Sequence, residues 1–303
     1  MNEFIKIRDA IRKFIFAYDA IMLKVRNALI GLVGMILINS NFGYQKTINH
    51  WFMPVIIGLL SAFLPMKGVA CVLGLLLIVH LTSLSLQAAL FALGFWVIGI
   101  IACTYFKSES TFSISLVPVT YGLSCPYVMA SGTALLRDFK EIVSVICGTV
   151  VSFYLHILKI NASTILAETA DVSMISLLKV QMLQNKMFYF SVAAMVAMYI
   201  TVYIIRHQAI KFAWIVATAA GAVAEFIIML TGLIISSQRS DIGKLILGNI
   251  IVLLTGIVLH YIILDLDYSR VEKVQFEDDD YYYYVTAVPK IRMASEDKEI
   301  KTF

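Results

Sequence analysis

From Ala28 to Leu264 the chain alternates between long apolar stretches and brief polar interruptions. Nine stretches can be drawn, at residues 28–43, 51–64, 68–84, 88–106, 112–136, 142–158, 187–205, 210–235 and 245–264. Most approach the roughly 20 apolar residues that a hydrocarbon layer requires of a helix. In lipid every backbone donor and acceptor has to be satisfied within the protein, so helices rather than open strands are predicted. The fold class is therefore all-α, a polytopic membrane helix bundle of about eight or nine segments. It occupies residues 28–266, between an amphipathic helix at 1–27 and a soluble tail at 267–303.

Within residues 1–27, Phe4, Ile7, Ile11, Phe14, Ile15, Tyr18, Met22 and Val25 recur at helical spacing, while Lys6, Arg12, Lys13 and Asp19 fall elsewhere. Such a helix lies on the membrane surface or continues into the first span. Lys6, Arg8, Arg12, Lys13, Lys24 and Arg26 all precede the first apolar stretch. Basic residues are retained on the cytoplasmic side, so a cytoplasmic N-terminus is expected. The long, interrupted basic start does not read as a cleavable signal peptide.

The fifth stretch departs from the others. Pro118, Tyr121, Gly122 and Pro126 stand in its middle, together with several hydroxyl residues. Proline removes a backbone donor and clashes with the preceding turn, so a straight helix is not expected there. Broken helices at membrane depth can line substrate paths, and a kinked packing helix is the plainer alternative. Pro65 should end the short second stretch, and Lys67 can snorkel to the interface. Between Lys159 and Lys186 charge returns, and Ile175, Leu178 and Met182 suggest a surface helix or loop.

Four titratable residues fall inside apolar stretches: His80, His156, Glu225 and His260. An acidic group at mid-bilayer costs on the order of 2.5 kcal/mol or more, so each such residue needs a partner. Ala217, Gly221 and Glu225 recur every four residues, as do Gly148, Ser152 and His156, and Asn249, Gly256 and His260 share a face. Three helices thus each carry one small, polar side, along which neighbours can approach closely. These sides either converge on a hydrophilic pocket, with Glu225, His80, His156, Asn249 and His260 as pathway or binding residues, or serve helix packing alone.

Composition narrows the classes. Hydrophobic residues make up 60% of the chain and charged residues 15%, against about 25% charged in soluble domains; mean hydropathy is +0.86. Cys71, Cys103, Cys125 and Cys147 each lie in an apolar stretch without CxxC spacing. They read as packing residues rather than a disulfide framework or a zinc site. No P-loop or catalytic motif stands out, and neither cofactor nor metal is expected. Arg137-Asp138 and Arg206-His207, at span ends, read as interfacial anchors rather than as an enzyme's site. Asn161-Ala162-Ser163 is a glycosylation sequon that would matter only on a luminal face in a eukaryotic host.

The tail changes character. Val271 to Phe276 and Tyr281 to Val288 are β-prone runs around the acidic Glu277-Asp278-Asp279-Asp280, which suggests a hairpin. A lone hairpin is marginal in water, so it is expected to dock on the membrane domain or, through Phe276, Tyr281 and Tyr283, on a membrane or cytoplasmic protein partner. The acidic cluster argues against nucleic acid, and residues 293–303 should be disordered. The run from Gln275 through the tyrosines to Ala287-Val288-Pro289-Lys290 resembles the end of multi-span proteins of Gram-positive, clostridial-type bacteria that carry no assigned activity. That resemblance implies a bacterial plasma membrane and supplies no residue roles.

Two functions from different classes follow. One is a transporter or permease subunit for a small solute or ion. The other is a noncatalytic membrane scaffold or regulatory subunit that recruits a partner through its tail.

Overall fold

The computed structural model describes residues 7–287, apart from positions 8–9, 12, 16, 110–112, 123–124, 167–173, 209, 211, 238–241, 264–271 and 278–281. The 293–303 end and Tyr281 lie outside the described residues.

Helix α1 runs unbroken from Asp19 to Phe42. The boundary expected at residue 27 therefore lies inside a helix, and a turn at Tyr18 separates α1 from the helical residues before it. Local chemistry explains the early start. Lys24 places its ammonium 5.9 Å from the Phe63 ring. Asn27, almost fully buried, donates to the Leu64 carbonyl at 2.8 Å and accepts from Arg26. The polar residues before the apolar stretch are thus held by the next helical hairpin.

Helix α2, Met53–Ser61, opens with Pro54 in its first turn and is only nine residues long. At 1.5 Å per residue it covers about 14 Å, half of a hydrocarbon core of about 30 Å. Pro65 then opens α3, Met66–Thr82, and Ser85 caps α4, Leu86–Tyr105, by accepting from the Ala88 N–H. Met35, Ile38, Ile57, Val69 and Leu73 form a small core that joins α1, α2 and α3.

The fifth stretch is two short helices, α5 (Ser113–Gly122, with Pro118 inside) and α6 (Tyr127–Leu136, with Pro126 as its cap). They pack on different neighbours: α5 on α7 (Ile142–Ile160), and α6 on α10 (Lys186–Arg206) and α12 (Ile242–Ile263). A 3-10 turn, Phe139–Glu141, leads into α7. The segment after α7 contains α8 (Ala162–Leu166), α9 (Met174–Leu178) and a π-helical turn, Lys179–Leu183. Its described part lies on the surface with one face turned inward: Met174, Leu177, Leu178 and Met182 are buried in the main core, whereas Ile175, Lys179, Val180 and Leu183 are exposed.

Helix α11, Ala213–Ile235, packs against both α10 and α12. Glycine permits this closeness. A Cβ on Gly221 would lie 2.4 Å from Val202 Cγ2, and one on Gly256 would lie 2.6 Å from Thr218. Such small-residue contacts let helices associate where lipid supplies no hydrophobic drive.

Among the described residues six helices are long and apolar enough to cross a membrane: α1, α4, Phe139–Ile160, α10, α11 and α12. The nine stretches of the sequence thus resolve into six span-length helices and shorter ones. Leu29, Leu59, Leu90, Ile98, Val223, Ile227 and Leu254 lie exposed on the outer faces, as lipid contact requires. Beyond α12, strands β1 (Glu272–Glu277) and β2 (Tyr282–Ala287) pair antiparallel, with Phe276 opposite Tyr283.

Candidate functional site

The break between α5 and α6 opens onto a cavity of about 520 Å³. Its wall is assembled from the end of α1, the break itself, and α7, α10, α11, α12 and the π-helical turn. No single stretch of sequence contains more than a fragment of it. Pro118 and Pro126 both line it. Proline forbids the regular ladder here, so the chain leaves one helical axis at α5 and enters another at α6. Cys125 N–H bonds the Thr120 carbonyl across the break at 3.0 Å, and the Thr120 hydroxyl bonds the Val117 carbonyl at 2.9 Å. These bonds satisfy carbonyls at membrane depth, as lipid demands. Of Tyr121 and Gly122 only the backbone is described, as the last turn of α5.

Glu225 is fully buried on α11. Asn249 of α12 donates its carboxamide N–H to Glu225 Oε2 at 2.7 Å and to the Leu245 carbonyl at 3.1 Å. The Tyr127 phenol, on the first turn of α6, interacts with the same carboxyl. Glu225 Oε1 and Asn249 Oδ1 are buried without a hydrogen bond. Three helices thus meet at one carboxyl. The cluster adjoins the cavity: Tyr127 lines it, as do Met229, one turn from Glu225, and Leu245, one turn from Asn249.

The histidines separate. His156 is exposed, stands 6.5 Å from the Phe153 ring and lines the cavity. His80 is fully buried on α3, far from Glu225 in the chain's packing order; its Nδ1 accepts from the Gln45 N–H at 3.3 Å, and its Nε2 has no partner. Gln45 in turn accepts from the Ser83 hydroxyl at 2.5 Å, so His80 pins the α1–α2 loop to the end of α3. His260 stacks edge-on to Phe212, 5.8 Å between centroids, at the far end of α12. The structure therefore brings Glu225 and Asn249 together, sets His156 on the cavity wall, and leaves His80 and His260 elsewhere.

Several residues of this region escaped the reading by sequence. Tyr127 carries no signal beyond following Pro126. Lys159, Gln181, Asn185 and Lys244 line the cavity, yet each looked like an ordinary span-end polar residue. Arg206 is more than an anchor, because its guanidinium donates to the Leu135 carbonyl and, at 2.7 Å, to the Arg137 carbonyl. It closes the C-terminal end of α6, where carbonyls have no helical partner. Glu141, also buried, accepts from the Ser108 hydroxyl at 2.5 Å and the Glu109 N–H at 2.8 Å and ties the loop after α4 to the start of α7.

Among the described residues no three His, Cys, Asp or Glu side chains gather closely enough to hold a metal ion. No family model matches the chain, and no curated protein or solved structure matches it.

Of the expected docking residues, Phe276 and Tyr283 are backbone partners in the strand register, and Tyr281 is outside the described residues. On β2, Tyr284 is 76% exposed and Val285 45% exposed.

Proposed function

We propose that this is a multi-pass plasma-membrane protein that passes a small solute or ion through the cavity beside Glu225, with its N-terminus in the cytoplasm. One observation carries the reading. A cavity of about 520 Å³ is walled by the two prolines of a broken helix and adjoins a buried carboxyl. That volume falls within the range of small-molecule pockets, about 300–1,000 Å³. Discontinuous helices at the centre of transporters place backbone and polar groups where a solute can meet them. Half-helices α5 and α6, which belong to different helix groups, supply a joint about which the two groups can rock. Glu225 is the group best suited to exchange a proton or cation with the cavity, because its Oε1 makes no internal bond.

The test is thiol accessibility. In a variant lacking Cys71, Cys103, Cys125 and Cys147, single cysteines at Met195, Met229 and Leu233 are probed with membrane-impermeant reagents from either face of sealed vesicles. Labelling of these positions is expected. Complete protection from both faces, with and without a membrane potential, would sink the reading.

A second reading is favoured by exposed Tyr284 and Val285 on β2: the hairpin recruits a protein partner and the bundle is its anchor. Both roles are compatible in one subunit.

A further inference from the structure

The cavity's polarity is distributed unevenly, and that distribution points to a ligand class. Resting on the reading of the cavity as a solute compartment, we infer that its occupant is an amphipathic acid, an apolar body carrying a carboxylate or phosphate head, with the head held by Lys159 and Lys244. The deep wall is formed by Phe153, Leu155, Met195, Met229 and Leu233, all buried. Thr149, Ser152 and Ser191 also line it, but each hydroxyl donates to a carbonyl of its own helix, at 2.8, 2.6 and 2.8 Å. Their protons are therefore used within the wall, which offers a ligand apolar surface.

The mouth differs. Exposed Lys159, Lys244 and His156 line it, with the amides Asn41, Gln181 and Asn185. Among the described residues no aspartate or glutamate belongs to the lining. Lys159 bonds a neutral group, the Asn41 carboxamide oxygen at 2.6 Å. It thus holds its ammonium at the rim without a countercharge from that partner. The C-terminal end of α7 and the N-terminal ends of α10 and α12 converge here, alongside Asn41 near the end of α1. The basic residues Lys24 and Arg26 stand at the opposite end of α1, so the mouth opens on the face away from the N-terminal end of that helix.

An ammonium and a carboxylate or phosphate form charge-assisted bonds about twice as strong as neutral ones. A cationic amphiphile would meet repulsion at the same rim, and an inorganic anion would leave the apolar wall unused.

The acid can come from solution or from a membrane lipid's headgroup, and the experiment separates these sources. The full chain is placed in phosphatidylcholine nanodiscs, and its thermal unfolding is followed with decyl phosphate, with decyltrimethylammonium and with inorganic phosphate. A parallel sample contains phosphatidylglycerol and no added amphiphile. Decyl phosphate is expected to raise the unfolding temperature in a saturable manner, whereas decyltrimethylammonium and inorganic phosphate leave it unchanged. Stabilisation by phosphatidylglycerol as well identifies lipid as a source; its absence identifies a soluble acid. The pair Lys159→Gln and Lys244→Gln should weaken decyl phosphate binding about tenfold, the equivalent of 1.4 kcal/mol. Lys159→Glu alone should shift preference toward the cationic probe. Equal stabilisation by the two amphiphiles, no stabilisation by either acid, or binding unaltered in the lysine variants overturns the proposal. Labelled cavity cysteines in a protein that ignores decyl phosphate would leave the solute reading standing and remove only this ligand class.

Discussion

Asn249 and Glu225 bind one another across the α11–α12 interface through a single N–H, at 2.7 Å, and each keeps one buried oxygen without a partner. The pair is half satisfied, which makes the consequence of its removal asymmetric. Asn249→Ala strips the carboxyl of one donor, leaving it the Tyr127 phenol, and is expected to destabilise the bundle by about 1–2 kcal/mol, the scale of interhelical hydrogen bonds in membranes. Replacing both residues by leucine removes the unpartnered oxygens together, and should be close to neutral. A double-mutant cycle on reversible unfolding in mixed micelles measures both; additive losses would show that the two side chains do not act as a unit.

Gly221 sets the distance between α10 and α11. A methyl group there would meet Val202 Cγ2 at 2.4 Å, and Val202 is fully buried. A valine in a helix has one strongly preferred rotamer, so it cannot swing aside. Gly221→Ala is expected to cost about 1–3 kcal/mol, the usual range for overpacking. Adding Val202→Ala makes room for the new methyl and should recover most of that loss in the same unfolding assay. A double variant no more stable than Gly221→Ala would place the strain elsewhere.

Arg206 tests whether the half-helix α6 depends on a cap from its neighbour. Its guanidinium reaches two carbonyls at once, those of Leu135 and Arg137. A lysine keeps the charge and loses the fixed fork. Arg206→Lys should therefore destabilise by about 1 kcal/mol, and Arg206→Ala by about 2–3 kcal/mol, the range for hydrogen bonds to charged groups. Hydrogen exchange at residues 133–137 should rise in both. Exchange confined to the α10 end would mean that Arg206 holds its own helix rather than α6.

Some of this was legible from residue order and some was not. The irregularity of the fifth stretch was announced by Pro118 and Pro126, because proline acts through local covalent geometry. Glu225 and Asn249 stood out for the cost of their burial, although only packing determines which polar residues on different helices meet. His80 had the same signal and found a different partner, a backbone N–H of a loop 35 residues away. The nine-residue α2 was apolar enough to resemble a span, since hydropathy does not register that the chain turns at Ser61. The cavity was invisible because seven segments, far apart in the chain, each contribute only a few ordinary side chains to it. Lys159 and Lys244, 85 positions apart, acquire a common role only through the fold.

The tail allows the two functional readings to be separated in one strain. In strand register, Phe276 opposes Tyr283, and Tyr284 beside it is largely exposed. A two-stranded hairpin alone is marginally stable in water, and an exposed strand edge is a ready template for pairing with another chain. Removal of residues 270–303 is expected to leave the six span-length helices folded, since the hairpin side chains that are described, Tyr284 to Thr286, are exposed and outside the membrane core. Proteins that co-purify with the full chain should be lost, and decyl phosphate binding should persist. Glu225→Gln should do the reverse: partners are retained, while any solute flux in reconstituted vesicles falls at least about tenfold, as expected when a barrier rises by 1.4 kcal/mol. Loss of flux on tail removal with partners unchanged would assign the hairpin to the cavity's operation and count against recruitment.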